Sequence, residues 1–234
     1  MKLTISPEVR EMFPHVKLGV LVAKDIRNTQ ETPAEVTNWM RNVEKTFTGL
    51  CPTVEELARC PRIEDWREAY RKFGFKPNQH RCSVEALCRR VVQGKELPQI
   101  STVVDIYNGI SVKHTVPVGG DDCDLVDGTI VLAVADGSEK FVMLGDKTET
   151  IKKGEIVYRD DKEVLCRSWN YRESEKSKIT EKTKSMCLVV EGLEHTSREA
   201  IERALGDLRE MLQTHCGGRY ETFFLDCENP EATW

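Results

Sequence analysis

No stretch of the 234-residue chain approaches the roughly 20 apolar residues that a membrane-spanning helix needs; the best candidate, residues 18–23, has the length of a buried strand. Pro7, Glu8, Arg10 and Glu11 stand where a secretory leader would be apolar, so no targeting segment is expected and the cytoplasm is the expected compartment. The nine cysteines include no CxxC pair, and their odd number and irregular spacing argue against a disulfide framework and against a zinc ribbon. His80, Cys82 and Cys88 come nearest to a metal-binding set but lack a fourth ligand at finger spacing. No metal is expected, and the thiols read as small buried hydrophobes of a reducing compartment. There is no internal repeat, no low-complexity tract, and no Ser-His-Asp or Cys-His spacing that would point to a covalent intermediate.

The chain does have the composition of a globular domain, with 39% hydrophobic, 31% charged and 7% aromatic residues. Its length is enough for one sizeable core, and a single unit over 1–234 is expected. The net charge of −5 is unevenly spread. Residues 61–95 hold nine basic against four acidic side chains, which leaves −10 for the remainder. Such a stretch is either a local docking face for a polyanion or a solvated helix surface.

Apolar spacing and turn chemistry predict a mixed α/β (α+β) fold, a central β-sheet with packed helices. Ser6-Pro7 opens a short helix, residues 16–23 form a strand, and Thr32-Pro33 with Glu35 opens the next helix. Ile63, Trp66, Tyr70 and Phe73 form one inward stripe, and Ser83 is expected to cap a helix with Val84, Leu87, Cys88 and Val91 inward. Val103, Val104, Ile106 and Ile110 continue the helical spacing, interrupted by Asp105 and Asn108. Residues 116–128, rich in Gly and Asp, predict an exposed loop. Strands at 129–135 and 141–144 are expected to form a hairpin about Asp136-Gly137, and 155–159 with 163–169 a second about Asp160-Asp161. A strand at 186–190, a helix capped by Thr196 and Glu199, and a strand at 220–225 complete the prediction.

The run from Cys88 to Glu191 resembles the B3/B4 editing domain of the β subunit of bacterial phenylalanyl-tRNA synthetase, and more closely the free-standing proteins built on that domain. The likeness is carried by Arg89-Arg90, Pro98, the Val103-Val104-Asp105-Ile106-Tyr107-Asn108 run, Pro117, Asp122, Gly128, Glu139-Lys140-Phe141, Thr183 and Val189-Val190-Glu191. The free-standing group adds Asp65-Trp66-Arg67, Phe73-Gly74, Ser83 with Glu85-Ala86-Leu87, Gly154 to Tyr158, and Arg167 with Trp169-Asn170-Tyr171-Arg172. An editing core over 65–192 follows, with 1–60 as an N-terminal α/β extension and 193–234 as a C-terminal helix and strand packed on it. The resemblance implies hydrolysis, in trans, of the ester between a wrong amino acid and its tRNA. Aminoacylated tRNA is the implied partner, an aminoacyl-tRNA synthetase a second, and no cofactor is implied. A non-catalytic module that binds tRNA or a synthetase is the alternative. A third reading, a small-molecule hydrolase or amino-acid sensor, suits the acidic overall charge.

Ester hydrolysis needs an aimed water, donors for the developing oxyanion and a group to hold the α-ammonium. Asn108 and Glu191 are the catalytic candidates: Asn108 orients water or carbonyl, or else is a buried structural amide; Glu191 binds the ammonium, or else is a solvated strand end. Neither role requires an unusual pKa. Tyr107 and Trp169 are either stacking surfaces or core. Arg167 and Arg172 flank Trp169, and strand alternation predicts Arg167 and Trp169 on one face, suited to phosphate or ribose. Asp105 and Glu155 either read a cationic side chain or pair with these arginines. Asp122 and Asn170 are further substrate-binding candidates, and Arg81, Arg89 and Arg90 are the RNA-binding ones. Where the synthetase domain has a histidine two residues after its loop proline, this chain has Gly119; Tyr107 replaces a threonine, and Arg167 to Asn170 replace a glycine-rich turn. Those departures do not match a tyrosine-accepting pocket.

Overall fold

In the computed structural model, which describes residues 1–234, the chain forms seven α-helices, two principal sheets and a two-stranded ribbon. Alternation sets β1 (Lys2–Ile5), with Leu3 and Ile5 buried and Lys2 and Thr4 between them and solvent. Ser6 then caps α1 (Pro7–Met12), its hydroxyl accepting from the Val9 amide. The following strand, β2 (Lys17–Lys24), is buried at six consecutive positions, which is how a strand covered on both faces reads. Helices α2 (Ala34–Leu50), α3 (Val54–Ala58), α4 (Pro61–Lys72), α5 (Ser83–Val92) and α6 (Thr102–His114) follow. Then come β3 (Val118–Asp122), β4 (Thr129–Val134), β5 (Val142–Met143), β6 (Lys147–Thr148), β7 (Ile156–Arg159), β8 (Val164–Arg167) and β9 (Arg172–Glu173). The chain closes with β10 (Ser185–Gly192), α7 (Arg198–Cys216), β11 (Arg219–Leu225) and β12 (Glu231–Thr233).

One sheet has six strands in the order β12-β1-β4-β7-β8-β9, with β1 and β4 parallel and the rest antiparallel. The other is antiparallel throughout, β11-β2-β10-β3. The main hydrophobic core draws on residues from Leu3 to Ala232. A smaller cluster of Ala135, Phe141, Ile151, Val157 and Val164 lies under the ribbon.

Helix α6 is buried along most of its length and packs against α2, α7 and β3. A Cβ at Gly109 would overlap the Trp39 ring, so the glycine is what lets α2 and α6 approach. The start of α6 is held by two side chains: Asn28 Oδ1, from the segment before α2, accepts from the Val103 amide, and Asp105 Oδ1, on α6 itself, accepts from the Ile100 amide at 2.8 Å.

Several expected elements differ. The expected loop at 116–128 contains β3, paired with β10 from Val118↔Val190 to Asp122↔Met186; its glycines are needed because Gly120 lies against the backbone of β10. The turn at Asp136-Gly137 forms, with Glu139 accepting both backbone amides. It does not join a hairpin, because β4 finds its partners in β1 and β7, leaving β5 to pair with β6. Caps shift by one residue: Ser197 caps α7, Pro33 precedes α2, and Cys82 precedes α5, so Ser83 is a first-turn residue. No helix is long and apolar enough to cross a membrane.

Candidate active site

The site is organised by a buried ion pair. Glu155, fully buried, takes the Arg167 guanidinium in a fork, Nε to Oε1 and Nη2 to Oε2 both at 3.0 Å, while Arg167 Nη1 reaches Glu149 at 2.6 Å. The same Glu155 oxygen accepts from the Ser168 amide at 2.9 Å and its hydroxyl at 2.7 Å. Those bonds hold two successive non-glycine residues in the left-handed region, Ser168 at φ 47° and Trp169 at φ 66°. Such residues cost on the order of 1–3 kcal/mol each and persist where the surroundings over-determine them. The strained turn breaks the strand period after Arg167 and sends Trp169 and Asn170 toward the end of β10.

There they meet Glu191. Its Oε1 accepts from the Tyr158 hydroxyl at 2.6 Å and from Trp169 Nε1 at 2.8 Å; its Oε2 accepts from Asn170 Nδ2 at 2.6 Å. Asn170 is itself oriented by the Tyr70 hydroxyl, which donates to Oδ1 at 3.1 Å. Glu191 is 3% exposed and hydrogen-bonded only by neutral donors. Burial pushes its carboxyl up, and the three hydrogen bonds lower it only in part, leaving it at about 7.

Glu191 lines a cavity of about 40 Å³, room for roughly three waters. One wall comes from the six-stranded sheet (Leu3, Ile130, Tyr158, Cys166, Glu173), the other from β3 and β10. Its half-buried lining residues are Ser83, Gly119, Gly120, Asn170 and Glu173, which define the open side. Three carboxylates line it, those of Asp121, Glu173 and Glu191, and no lysine, arginine or histidine does. Burial raises Asp121 to about 6 despite the Ser177 hydroxyl that donates to it at 2.5 Å. Burial and then the charge of Asp121 hold Glu173 well above the usual carboxylate range. A Cβ at Gly119 would stand 2.9 Å from Glu173 Oε1, so the missing side chain leaves room for this carboxylate.

Of the sequence candidates, Glu191, Trp169 and Asn170 come together here. Trp169 is fully buried and packs edge-on against Phe13 and Trp66, with centroids at 4.9 and 5.0 Å; it is core, and acts through Nε1 rather than by stacking on a base. Arg167 is consumed by Glu155 and Glu149, so it is not free for phosphate, and Glu155 pairs with it as the second of its two readings foresaw. Asp105 does not line the cavity and meets no arginine: it accepts from Thr32 Oγ1 at 2.7 Å and from the Ile100 amide. Asp122 accepts from Thr183 Oγ1 and the Asp124 amide, outside the cavity lining. Asn108 is buried on α6, does not line the cavity, and its side chain makes no hydrogen bond to the protein. Tyr107, half-buried on the same helix, also stays out of the lining; burial and nearby Glu173 raise its hydroxyl.

Arg172 is exposed, its guanidinium 4.8 Å from the Tyr171 ring centre. Arg89 and Arg90 lie in the last turn of α5, away from the Ser83 end, and Arg90 Nε donates to the Glu96 carbonyl. Arg81 lies two residues before Ser83 with Nε 3.8 Å from Glu85, too far for a hydrogen bond. Sequence reasoning did not single out Asp121, Glu173 or Tyr158 as site residues. Alternation over 155–159 could have flagged Tyr158; nothing in the charged run around Glu173 could have set it apart.

A relative, the phenylalanine–tRNA ligase beta subunit of Fusobacterium nucleatum, is 23% identical over 204 residues, 85% of this chain. The chain spans about a quarter of that relative's length (24%). Among solved structures, an N-terminal fragment of the phenylalanyl-tRNA synthetase beta-subunit from Pyrococcus horikoshii aligns over 95% of this chain and 53% of its own, at 14% identity and a TM-score of 0.47. The family model described as the B3/4 domain matches residues 65–217, more than half of the sequence, and the chain belongs to that family.

Proposed function

We propose that the protein is a trans-editing aminoacyl-tRNA deacylase that hydrolyses the ester of a mischarged tRNA with a positioned water. The observation that carries this reading is Glu191: a buried carboxylate with a pKa of about 7, held by neutral donors alone, in a cavity that no cation lines. A carboxylate poised near neutrality is matched to the work of a general base. Oε2, which accepts only the Asn170 amide, takes a proton from water. The water oxygen bonds to the ester carbonyl carbon, the bond from that carbon to the ribose oxygen breaks, and the ribose oxygen takes the proton that Glu191 received, which restores the carboxylate. The products are a free amino acid and a tRNA with its terminal hydroxyl restored. Asp121 and Glu173, which lack a cation of their own in the cavity, hold the α-ammonium. The orienting amide expected at Asn108 is assigned instead to Asn170, which touches Glu191. Membership in the B3/4 domain family and a relative named for phenylalanine–tRNA ligation support tRNA as the substrate class.

The test is release of amino acid from a panel of correctly and wrongly charged tRNAs, with uncharged tRNA as a binding control. Release from one mischarged species and not from its cognate supports the proposal. Binding without release turns it into a non-catalytic module, and neither binding nor release contradicts both.

A further inference from the structure

Only four buried side-chain polar atoms in the chain lack a hydrogen-bond partner, and three of them, His80 Nδ1, Arg81 Nε and Ser83 Oγ, fall within four consecutive residues. Folded proteins almost always pair such atoms, because an unpaired one forfeits its hydration without return. Three orphans in one segment mark a surface shaped for something else to complete. The segment has a definite place: Ser83 lines the open side of the cavity together with Asn170, and the His80 ring lies against Tyr171, the residue after Asn170, at 5.2 Å between centroids.

The surroundings state the chemistry of the missing partner. Burial and the cations Lys152, Arg167 and Arg172 hold the His80 imidazole below its ordinary value, with Glu155 acting in the opposite sense. Of these cations Arg167 is taken up by Glu155 and Glu149, and Arg81 Nε stands 3.8 Å from Glu85, whereas Lys152 and Arg172 are exposed and paired with no carboxylate. Flat rings interleave with the cations: Phe75 meets His80 edge-on at 4.7 Å, Lys152 lies over Phe75 at 5.1 Å, and Arg172 lies over Tyr171. A basic, aromatic surface with free polar atoms beside a cavity fits a nucleotide at a single-stranded end. We propose that residues 80–83 seat the terminal nucleotide of an RNA acceptor strand, Arg81 Nε donating to a phosphate oxygen and Ser83 Oγ pairing with the ribose hydroxyl beside the ester. This rests on the deacylase reading for the identity of the RNA, and assigns which residues hold its end. Arg89 and Arg90, on the far turn of α5, are not part of the seat.

The test is fluorescence anisotropy of the full chain with a 5′-labelled single-stranded CCA ribonucleotide and its deoxy counterpart, over a salt series. Wild-type protein is expected to prefer the ribonucleotide and to lose affinity as salt rises. Arg81→Gln is expected to weaken binding about tenfold and to reduce the salt slope by about one, while the same change at exposed Arg209 leaves both unaltered. Ser83→Ala is expected to erase the preference for ribose over deoxyribose with the slope unchanged. Circular dichroism melts establish that each variant is folded, and Arg81→Lys, which keeps the charge, is expected to recover the slope. Wild-type affinity and ribose preference in folded R81Q and S83A, or no ribonucleotide binding by wild type, overturn the seat. Failure of the wild type to release any amino acid from charged tRNA overturns the deacylase reading instead, whatever the anisotropy gives.

Discussion

Two buried carboxylates in this molecule have opposite fates. Asp160, 1% exposed, accepts from Lys176 Nζ at 2.5 Å and from the amides of Asp127, Lys162 and Glu163. Burial pushes its carboxyl up, but the lysine and the three amides outweigh that and leave it below its ordinary value. Glu191, 3% exposed, meets three neutral donors, burial wins, and the carboxyl rises to about 7. Two carboxylates of similarly small exposure thus become a structural anion in one place and a proton acceptor in the other: Asp160 lies less deep and has a lysine and three backbone amides, Glu191 lies deeper with three neutral side-chain donors. Glu155, in fork contact with Arg167, belongs with Asp160 in this respect: it fixes the turn and stays out of the cavity lining. At Glu155 and Asp160 a cation accompanies a carboxylate that builds structure, whereas no cation lines the cavity of Glu191.

The comparison breaks most completely at Glu191 itself. Glu191→Gln keeps the shape of the side chain and, with Asn170 turned over, every hydrogen bond, yet cannot take a proton; hydrolysis in single-turnover assays is expected to fall about 10²–10⁴-fold. Because the folded pKa lies above the ordinary value of 4.5, the stability Glu191 contributes is intact below about pH 4.5 and is lost as pH rises toward 7. Denaturant titrations at pH 8 are therefore expected to find the glutamine variant more stable than wild type, by about 3 kcal/mol at most. Asp160 has the opposite sign: its contribution is present above the ordinary value of 3.8 and is lost as pH falls below it.

Removing a cation from the structural side comes next. Arg167→Met leaves Glu155 buried and unpaired, and urea unfolding is expected to show a loss of about 3–5 kcal/mol. Adding Glu155→Gln to that variant is expected to restore a large part of it. A smaller effect is expected from Gly119→Ala. The new methyl meets the far end of the flexible Glu173 side chain, so stability changes little while hydrolysis falls several-fold as that carboxylate is displaced. The smallest belongs to Tyr158→Phe, which removes one of three donors to Glu191 and is expected to move the acid limb of the pH–rate profile upward by less than about one unit.

Much of this was legible in the chain. The resemblance carried by the Val189-Val190-Glu191 strand end marked Glu191, and the elements around β2, α6, β10 and α7 follow from apolar spacing and caps. Long-range pairing was not. The parallel partner of β4 is a four-residue strand at the N-terminus, and β3 is a strand whose Gly-Gly-Asp-Asp run has the composition of a loop. Alternation predicted Arg167 and Trp169 on one face, but positive φ at Ser168 and Trp169 ends the period there, and neither residue type signals such a conformation. Asp105, which interrupts an apolar helix, was read as binding a cationic side chain or pairing with an arginine; its work is to hold the start of that helix through Thr32, distant in sequence, and the Ile100 amide just before the helix.

The pH dependence of amino-acid release from a mischarged tRNA under single-turnover conditions tests the central claim most directly. The account predicts a rate that rises about tenfold per pH unit up to about pH 7 and then levels off, with the limb absent in Glu191→Gln. A rate independent of pH from 5 to 8, or a glutamine variant as fast as wild type, would contradict it.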